Sequence, residues 1–194
     1  MLPYNGAVKH TIITLSGLPG SGKSATARLL AERLGYAHFS SGDFMREIGA
    51  RHGYSIEETN RAAERDPSFD QEVDEAIRAK GAGDRLVIDS RLAFHWIPDS
   101  FKVFLKLEPN IAAERIFRHI QKEGRAHEDG SSVEDTYRSV MVRIDSERKR
   151  YASLYAVDYT DETQFDLVVD TGLLPLEQVV TRIIDAYTAW GEKT

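Results

Sequence analysis

The run Gly17-Leu18-Pro19-Gly20-Ser21-Gly22-Lys23-Ser24 has the residue types and spacing to hold a chain of phosphates. Three glycines let backbone N–H groups curl around anionic oxygens, and a helix opening at the end of such a loop turns its positive N-terminus toward them. Lys23 supplies a point charge that reaches the outer phosphates, and the Ser24 hydroxyl is placed to ligate a bridging Mg²⁺; Ala25 carries the cradle into the helix. Asp89 ends the apolar run Leu86-Val87-Ile88, a position from which a carboxylate can orient the metal or its water opposite Ser24, and Arg91 follows two residues later. Ser41, Asp43 and Arg46 lie just after another apolar run, with Gly42 permitting a turn. Arginine makes up 17 of the 25 basic residues, and Arg115, Arg118, Arg125, Arg138, Arg143, Arg148 and Arg150 fall in one stretch. A planar guanidinium fork suits phosphate better than an ammonium does. Arg143, Glu147 and Arg150 share one helical face at spacings of four and three. A surface salt bridge is the plainer reading of Arg143 with Glu147.

The elements that must position these groups are legible as an alternation. Apolar, β-rich runs at 11–15, 37–39, 85–88, 102–107 and 166–169 are separated by helical patterns, which implies an α/β fold with a five-stranded parallel sheet covered on both faces. Residues 24–34 place Ala27, Leu30, Ala31 and Leu34 along one stripe, and Gly35 gives a helix stop. Residues 42–80 are polar and helical, broken at Gly53 and Pro67, and too long for a simple crossover; they read as a small helical flap. Pro109 opens a further helix, and 122–132 has the glycines and charges of a mobile loop, so that 115–132 reads as a short lid. The long helix after it is expected to turn Tyr137, Met141 and Ile144 inward. From Pro175 a last helix carries Val179, Ile183, Ile184 and Tyr187 onto the sheet.

Composition narrows the setting. A chain of 194 residues with 41% apolar content fits one domain, 1–194, with flap and lid as insertions. A formal net charge of −6 argues against a broad nucleic-acid-binding surface while leaving room for a local cationic pocket. Residues 1–10 lack the apolar core of a signal peptide, and no apolar stretch reaches membrane-spanning length, so no membrane partner is expected. The absence of cysteine is compatible with a reducing cytoplasm. Six scattered histidines show no zinc-ligand pairing. His95, between aromatics in Leu92-Ala93-Phe94-His95-Trp96, reads as packing.

The phosphate loop, Ser41-Gly42-Asp43 with Arg46, Asp89-x-Arg91, Glu114-Arg115, and Arg143-x-x-x-Glu147-x-x-Arg150-Tyr151 together resemble the nucleoside monophosphate kinases, and most closely the short cytidylate kinases of archaeal type. The resemblance runs from Ile12 to the last helix. It implies a P-loop three-layer fold with a helical acceptor-binding flap and a short lid. ATP would be the phosphoryl donor, Mg²⁺ the cofactor, and CMP or dCMP the acceptor, in a cytoplasmic monomer. It further implies that Ser41, Asp43, Arg46 and Arg91 contact the acceptor nucleotide, that Arg143, Glu147 and Arg150 hold its sugar and phosphate, and that Arg115 and Arg118 are lid residues near ATP. Lys23, Arg115, Arg118 and Arg150 would serve catalysis. One departure stands out. Ser90 occupies a position where the family usually has glycine, so its side chain either crowds the acceptor or lends it a hydroxyl. A kinase for another small acceptor (UMP, AMP or a non-nucleotide metabolite) and a silent ATP-binding regulator stay open as alternatives.

Overall fold

Short β-branched runs between amphipathic helices build a wholly parallel sheet, because each crossover helix returns the chain to the same edge before the next strand begins. The computed structural model describes residues 11–123 and 132–192. Its five strands are β1 (Ile12–Gly17), β2 (Ala37–Ser40), β3 (Leu86–Asp89), β4 (Phe101–Lys106) and β5 (Leu167–Asp170), in the order β2-β3-β1-β4-β5. Every pairing is parallel. All five lie within two residues of the runs read from sequence. Residues 1–10 and the part of the expected lid at 124–131, Arg125 included, lie outside the described residues.

Helix α1 (Lys23–Leu34) follows β1 and stops at Gly35, which adopts the left-handed conformation at φ 65° as the sequence leads one to expect. It packs with α8 (Leu176–Gly191) on one face of the sheet, where Ile13, Leu15, Leu30, Val103, Leu105, Val179, Ile183 and Tyr187 are buried together. The region read as a flap folds into α2 (Ser41–Arg51), α3 (Ile56–Ala63) and α4 (Ser68–Gly81). With the short α5 (Ala93–Trp96) they cover the other face through Ile48, Phe69, Val73, Ile77, Ile88 and Ile97. Helix α6 (Pro109–Glu123) follows β4, and α7 (Val133–Tyr155) closes a third cluster of Leu92, Phe94, Tyr151, Val157 and Tyr159 over the carboxyl ends of the strands.

One expectation about α7 needs correction. Its buried line is Thr136, Val140, Ile144, Glu147 and Tyr151, and Tyr137 and Met141 are only half-buried at its margin. An apolar count rotates the face by one residue, or about 100° of helix, because a hydroxyl and a carboxylate belong to the inward line.

β1 is the centre of the topology. The chain leaves it toward β2 and β3 on one side and then crosses to β4 and β5 on the other. In open parallel sheets ligands collect at the carboxyl ends of strands where connections diverge in this way.

Candidate active site

The phosphate loop grows directly out of β1. Gly17, Gly20 and Gly22 hold φ of 147°, 75° and 84°, a region in which side-chain-bearing residues are strained. A Cβ on Gly17 would also run into the carbonyl oxygen of Leu105, so this turn admits only glycine. Gly20 comes within 3.1 Å of Ala112 when a Cβ is built on it, which sets α6 against the loop. Ser21 is buried, and its Oγ has no hydrogen-bond partner among the described residues.

Lys23 folds its amine over the loop, donating to the carbonyls of Gly17 (2.9 Å) and Leu18 (3.3 Å). Burial lowers its pKa to about 7, helped by the nearby Arg91 and opposed by Asp89 and Glu147. The Ser24 hydroxyl donates to Asp89 Oδ2 at 2.5 Å across the β1–β3 pair, whose register sets Asp89 opposite Leu15. Serine, aspartate and cradle thus converge from two adjacent strands. Among the described residues no three His, Cys, Asp or Glu side chains gather as a metal cage. A hydroxyl and one carboxylate beside a phosphate cradle fit Mg²⁺, which keeps water and phosphate oxygens as its other ligands.

Beyond Asp89 lies a cluster of charge, buried except at Arg143. Arg91 Nε lies 2.5 Å from Glu147 Oε2, Arg143 Nε donates to Glu147 Oε1 at 3.0 Å, and the Tyr159 hydroxyl donates to Oε2 at 3.0 Å. Glu147 is 6% exposed, with protein partners on both oxygens. Burial would raise its pKa, but Arg91 and Arg143 hold it below the usual carboxylate range. One turn further along α7, Arg150 Nε stands 2.8 Å from Asp70 Oδ2 on α4. Burial pushes Asp70 up to about 6; Arg150 opposes this, and Asp74 and Glu147 add to it. Asp74, one turn along α4, accepts from the Trp96 indole at 2.8 Å and from the Tyr155 hydroxyl.

The remaining sequence candidates take other places. Ser40 caps α2 by accepting from the Asp43 N–H, and Ser41 is the first, half-buried residue of that helix. Arg46 pairs with Asp43 on the exposed side of α2, and Arg28 reaches the same carboxylate at 3.6 Å. Arg115 donates to the carbonyls of Thr171 (2.7 Å) and Gly172 (3.2 Å), bracing α6 against the loop after β5. Arg118 is exposed and faces Glu114 at 3.8 Å. Ser90 is 4% exposed, and its Oγ accepts from the Leu92 N–H at 3.3 Å in the turn that delivers Arg91.

Lys23, Ser24, Asp89, Arg91, Arg143, Glu147 and Arg150 therefore form one connected group, with Arg46 on the flap and Arg115 and Arg118 on α6. Sequence reasoning missed Asp70, Asp74, Tyr155 and Tyr159. A signal was present for the first two: carboxylates four residues apart, interleaved with the buried Phe69, Val73 and Ile77, sit on an apolar stripe where solvated residues do not belong.

A glycine cradle, its lysine and a serine–aspartate pair at the carboxyl edge of a five-stranded parallel sheet define a P-loop kinase. A family model described as "AAA domain" matches residues 16–134. The chain is 36% identical over 161 residues to a cytidylate kinase of Methanothrix thermoacetophila, covering 83% of this chain and 88% of that one. It is 33% identical over 177 residues to a cytidylate kinase of Pyrobaculum arsenaticum, covering 90% and 91%. In fold it is similar to the shikimate kinase from Bacteroides thetaiotaomicron, with a TM-score of 0.64 at 16% identity over 92% of this chain and 98% of the other. The chain belongs to the cytidylate kinase family.

Proposed function

We propose that the protein transfers the γ-phosphoryl group of ATP to CMP or dCMP. The observation that carries this reading is the gathering of Asp89, Arg91, Arg143 and Glu147 within electrostatic reach of Lys23, with Arg150 within reach of Glu147 one turn along α7, which sets a second group of cations beside the phosphate cradle. In the transfer, an oxygen of the acceptor's phosphate forms a bond to the γ-phosphorus as the bond to the β-phosphate bridging oxygen breaks, leaving ADP and a nucleoside diphosphate. The acceptor phosphate has a second pKa near ~6 and is largely dianionic at neutral pH, so no strong general base is needed. The difficulty is to bring two polyanions into line.

Lys23 and the loop amides bind the donor, while Arg46, Arg91 and Arg143 offset the charge of the acceptor and Arg150 orients it. Ser24 and Asp89 would hold Mg²⁺, which when bound neutralises charge on the outer donor phosphates. Arg115 and Arg118 act from the lid side, and Ser41 and Asp43 position Arg46 from the flap. Closure of flap 42–80 and lid 115–132 excludes water and suppresses ATP hydrolysis. All these groups come from one chain, in keeping with a monomer acting on free nucleotides in the cytoplasm, without nucleic acid or membrane. None of the described helices is long and apolar enough to cross a membrane. A coupled assay of ADP formation across CMP, dCMP, UMP, AMP and non-nucleotide acceptors tests the reading. CMP or dCMP is expected to give the highest kcat/KM; turnover of ATP with none of them would overturn it.

A further inference from the structure

Tyr159 lies in the segment that joins α7 to β5 and has no access to solvent, at 0% exposed. The segment alternates as a short extended stretch does. Val157 and Tyr159 turn into the cluster with Leu92, Phe94 and Tyr151, and the half-exposed Asp158 between them turns outward. Asp158 is tied down in its turn: Arg148 Nη2 donates to Oδ2 at 2.6 Å, the Thr160 N–H donates to Oδ1 at 3.0 Å, and Gln164 donates to the Asp158 carbonyl at 2.8 Å. The Tyr159 ring then stands edge-on to Tyr151, with 5.7 Å between centroids at 77°. A pinned loop thus delivers this side chain to one place.

Phenylalanine would serve the packing, so the hydroxyl is explained by what it touches. It donates to Glu147 Oε2 at 3.0 Å. Burial, with the charge of Glu147 added, raises its pKa above the ordinary phenol value, so it stays a neutral donor. The same oxygen is 2.5 Å from Arg91 Nε, yet that N–H has no aligned hydrogen bond among the described residues. The Arg91 guanidinium lies beside the Tyr159 ring, 5.9 Å from its centroid. Oε1 accepts from Arg143, whose side chain is 48% exposed and so a looser anchor. Glu147 is therefore held firmly by the hydroxyl and meets Arg91 by charge rather than through an aligned fork. The backbone around Arg91 leaves little room to compensate, because its carbonyl accepts from the Ser16 hydroxyl at 3.1 Å and the next N–H, of Leu92, donates to Ser90 Oγ at 3.3 Å.

Resting on the reading that Arg91 meets the acceptor's phosphate, we infer that Tyr159 is a positioning residue, whose hydroxyl holds the Glu147 carboxylate in the orientation that leaves the Arg91 guanidinium open to phosphate. Carboxylate and phosphate compete for the same planar fork, and a carboxylate free to turn takes it with two parallel N–H···O bonds. A hydroxyl on Oε2 blocks that turn. Being neutral, it does so without adding a charge to a site that must then admit a dianion.

Tyr159→Phe keeps the ring and removes only the hydroxyl, with folding checked by thermal unfolding. The KM for CMP is expected to rise about tenfold, while ATP affinity, titrated without acceptor, stays within twofold of the unmodified enzyme. A core tyrosine with a purely structural role would move both substrates together or neither. The route through the carboxylate is tested in a Glu147→Gln background, where an uncharged amide no longer competes for Arg91. There, adding Tyr159→Phe is expected to change the KM for CMP less than twofold. A KM for CMP within twofold of the unmodified enzyme in Tyr159→Phe, an equal loss of ATP affinity, or a full tenfold effect in the Glu147→Gln background overturns the assignment while leaving the kinase reading intact. An unmodified enzyme that phosphorylates no nucleoside monophosphate overturns both.

Discussion

Lys23 combines two properties that are separable by experiment. It faces the phosphate loop and is not part of the apolar core, so Lys23→Ala is expected to lower kcat by about a hundredfold or more with little change in melting temperature, checked by coupled assay and thermal unfolding. Its pKa of about 7 adds a signature in binding. Above that value the free amine is mostly neutral. Phosphates beside it favour the ammonium, so ATP binding at pH 8 should take up a proton, and affinity should fall as pH rises past 7. Titration calorimetry in two buffers of different ionisation enthalpy is expected to show uptake of up to about one proton in the native enzyme and none in Lys23→Met. Glu147 poses a different question. Arg91, Arg143 and Tyr159 surround it, and both carboxylate oxygens have protein partners. Glu147→Ala, by stranding Arg91 in a buried site, is expected to cost about 3–5 kcal/mol in denaturant unfolding, which a surface salt bridge would not.

At the scale of elements, the flap depends on a close approach between α2 and α3. A Cβ on Gly49 would collide with the Thr59 hydroxyl, which is itself tied to the Ser55 carbonyl at 2.7 Å. Gly49→Ala is therefore expected to push α3 away and loosen the surface that carries Arg46. The acceptor KM should rise several-fold while ATP affinity, measured without acceptor, stays unchanged; an equal loss of both would separate the flap from acceptor binding. The N-terminus of α2 is secured by Ser40, whose replacement by alanine is expected to cost about 1 kcal/mol. Much of this region was legible beforehand, because Gly53 and Pro67 punctuate it. What stayed hidden was its inward face: a reading that treats charged positions as solvated cannot see Asp70 and Asp74 turned toward α7.

For the whole molecule, stability depends on pH through Asp70. Its folded pKa of about 6 lies above the unfolded value of 3.8, so the folded state binds the proton more readily. The group costs stability when ionised above about pH 6, and the cost is relieved as pH falls through 6 toward 4. Asp70→Asn, which imitates the protonated side chain, is expected to gain about 1–2 kcal/mol at pH 8 relative to its effect at pH 5. Urea unfolding at the two pH values checks this, and an effect independent of pH would show that the carboxylate carries no such penalty.

The amino-acid sequence alone determined the five strands to within two residues, the phosphate loop and its lysine, and the family, because these depend on local periodicity, glycine conformations and fixed spacings. Ser24 and Asp89 could be named as partners for the same reason, each ending a recognisable run. The strand order β2-β3-β1-β4-β5 was decided only in three dimensions, since the parallel crossovers set which strands become neighbours. The same holds for the charged side chains. Whether Glu147, Asp70 or Arg150 meets solvent, substrate or another residue depends on what packs over α7 from α4, α5 and the segment carrying Tyr159, and burial by distant parts of the chain leaves no mark in local spacing.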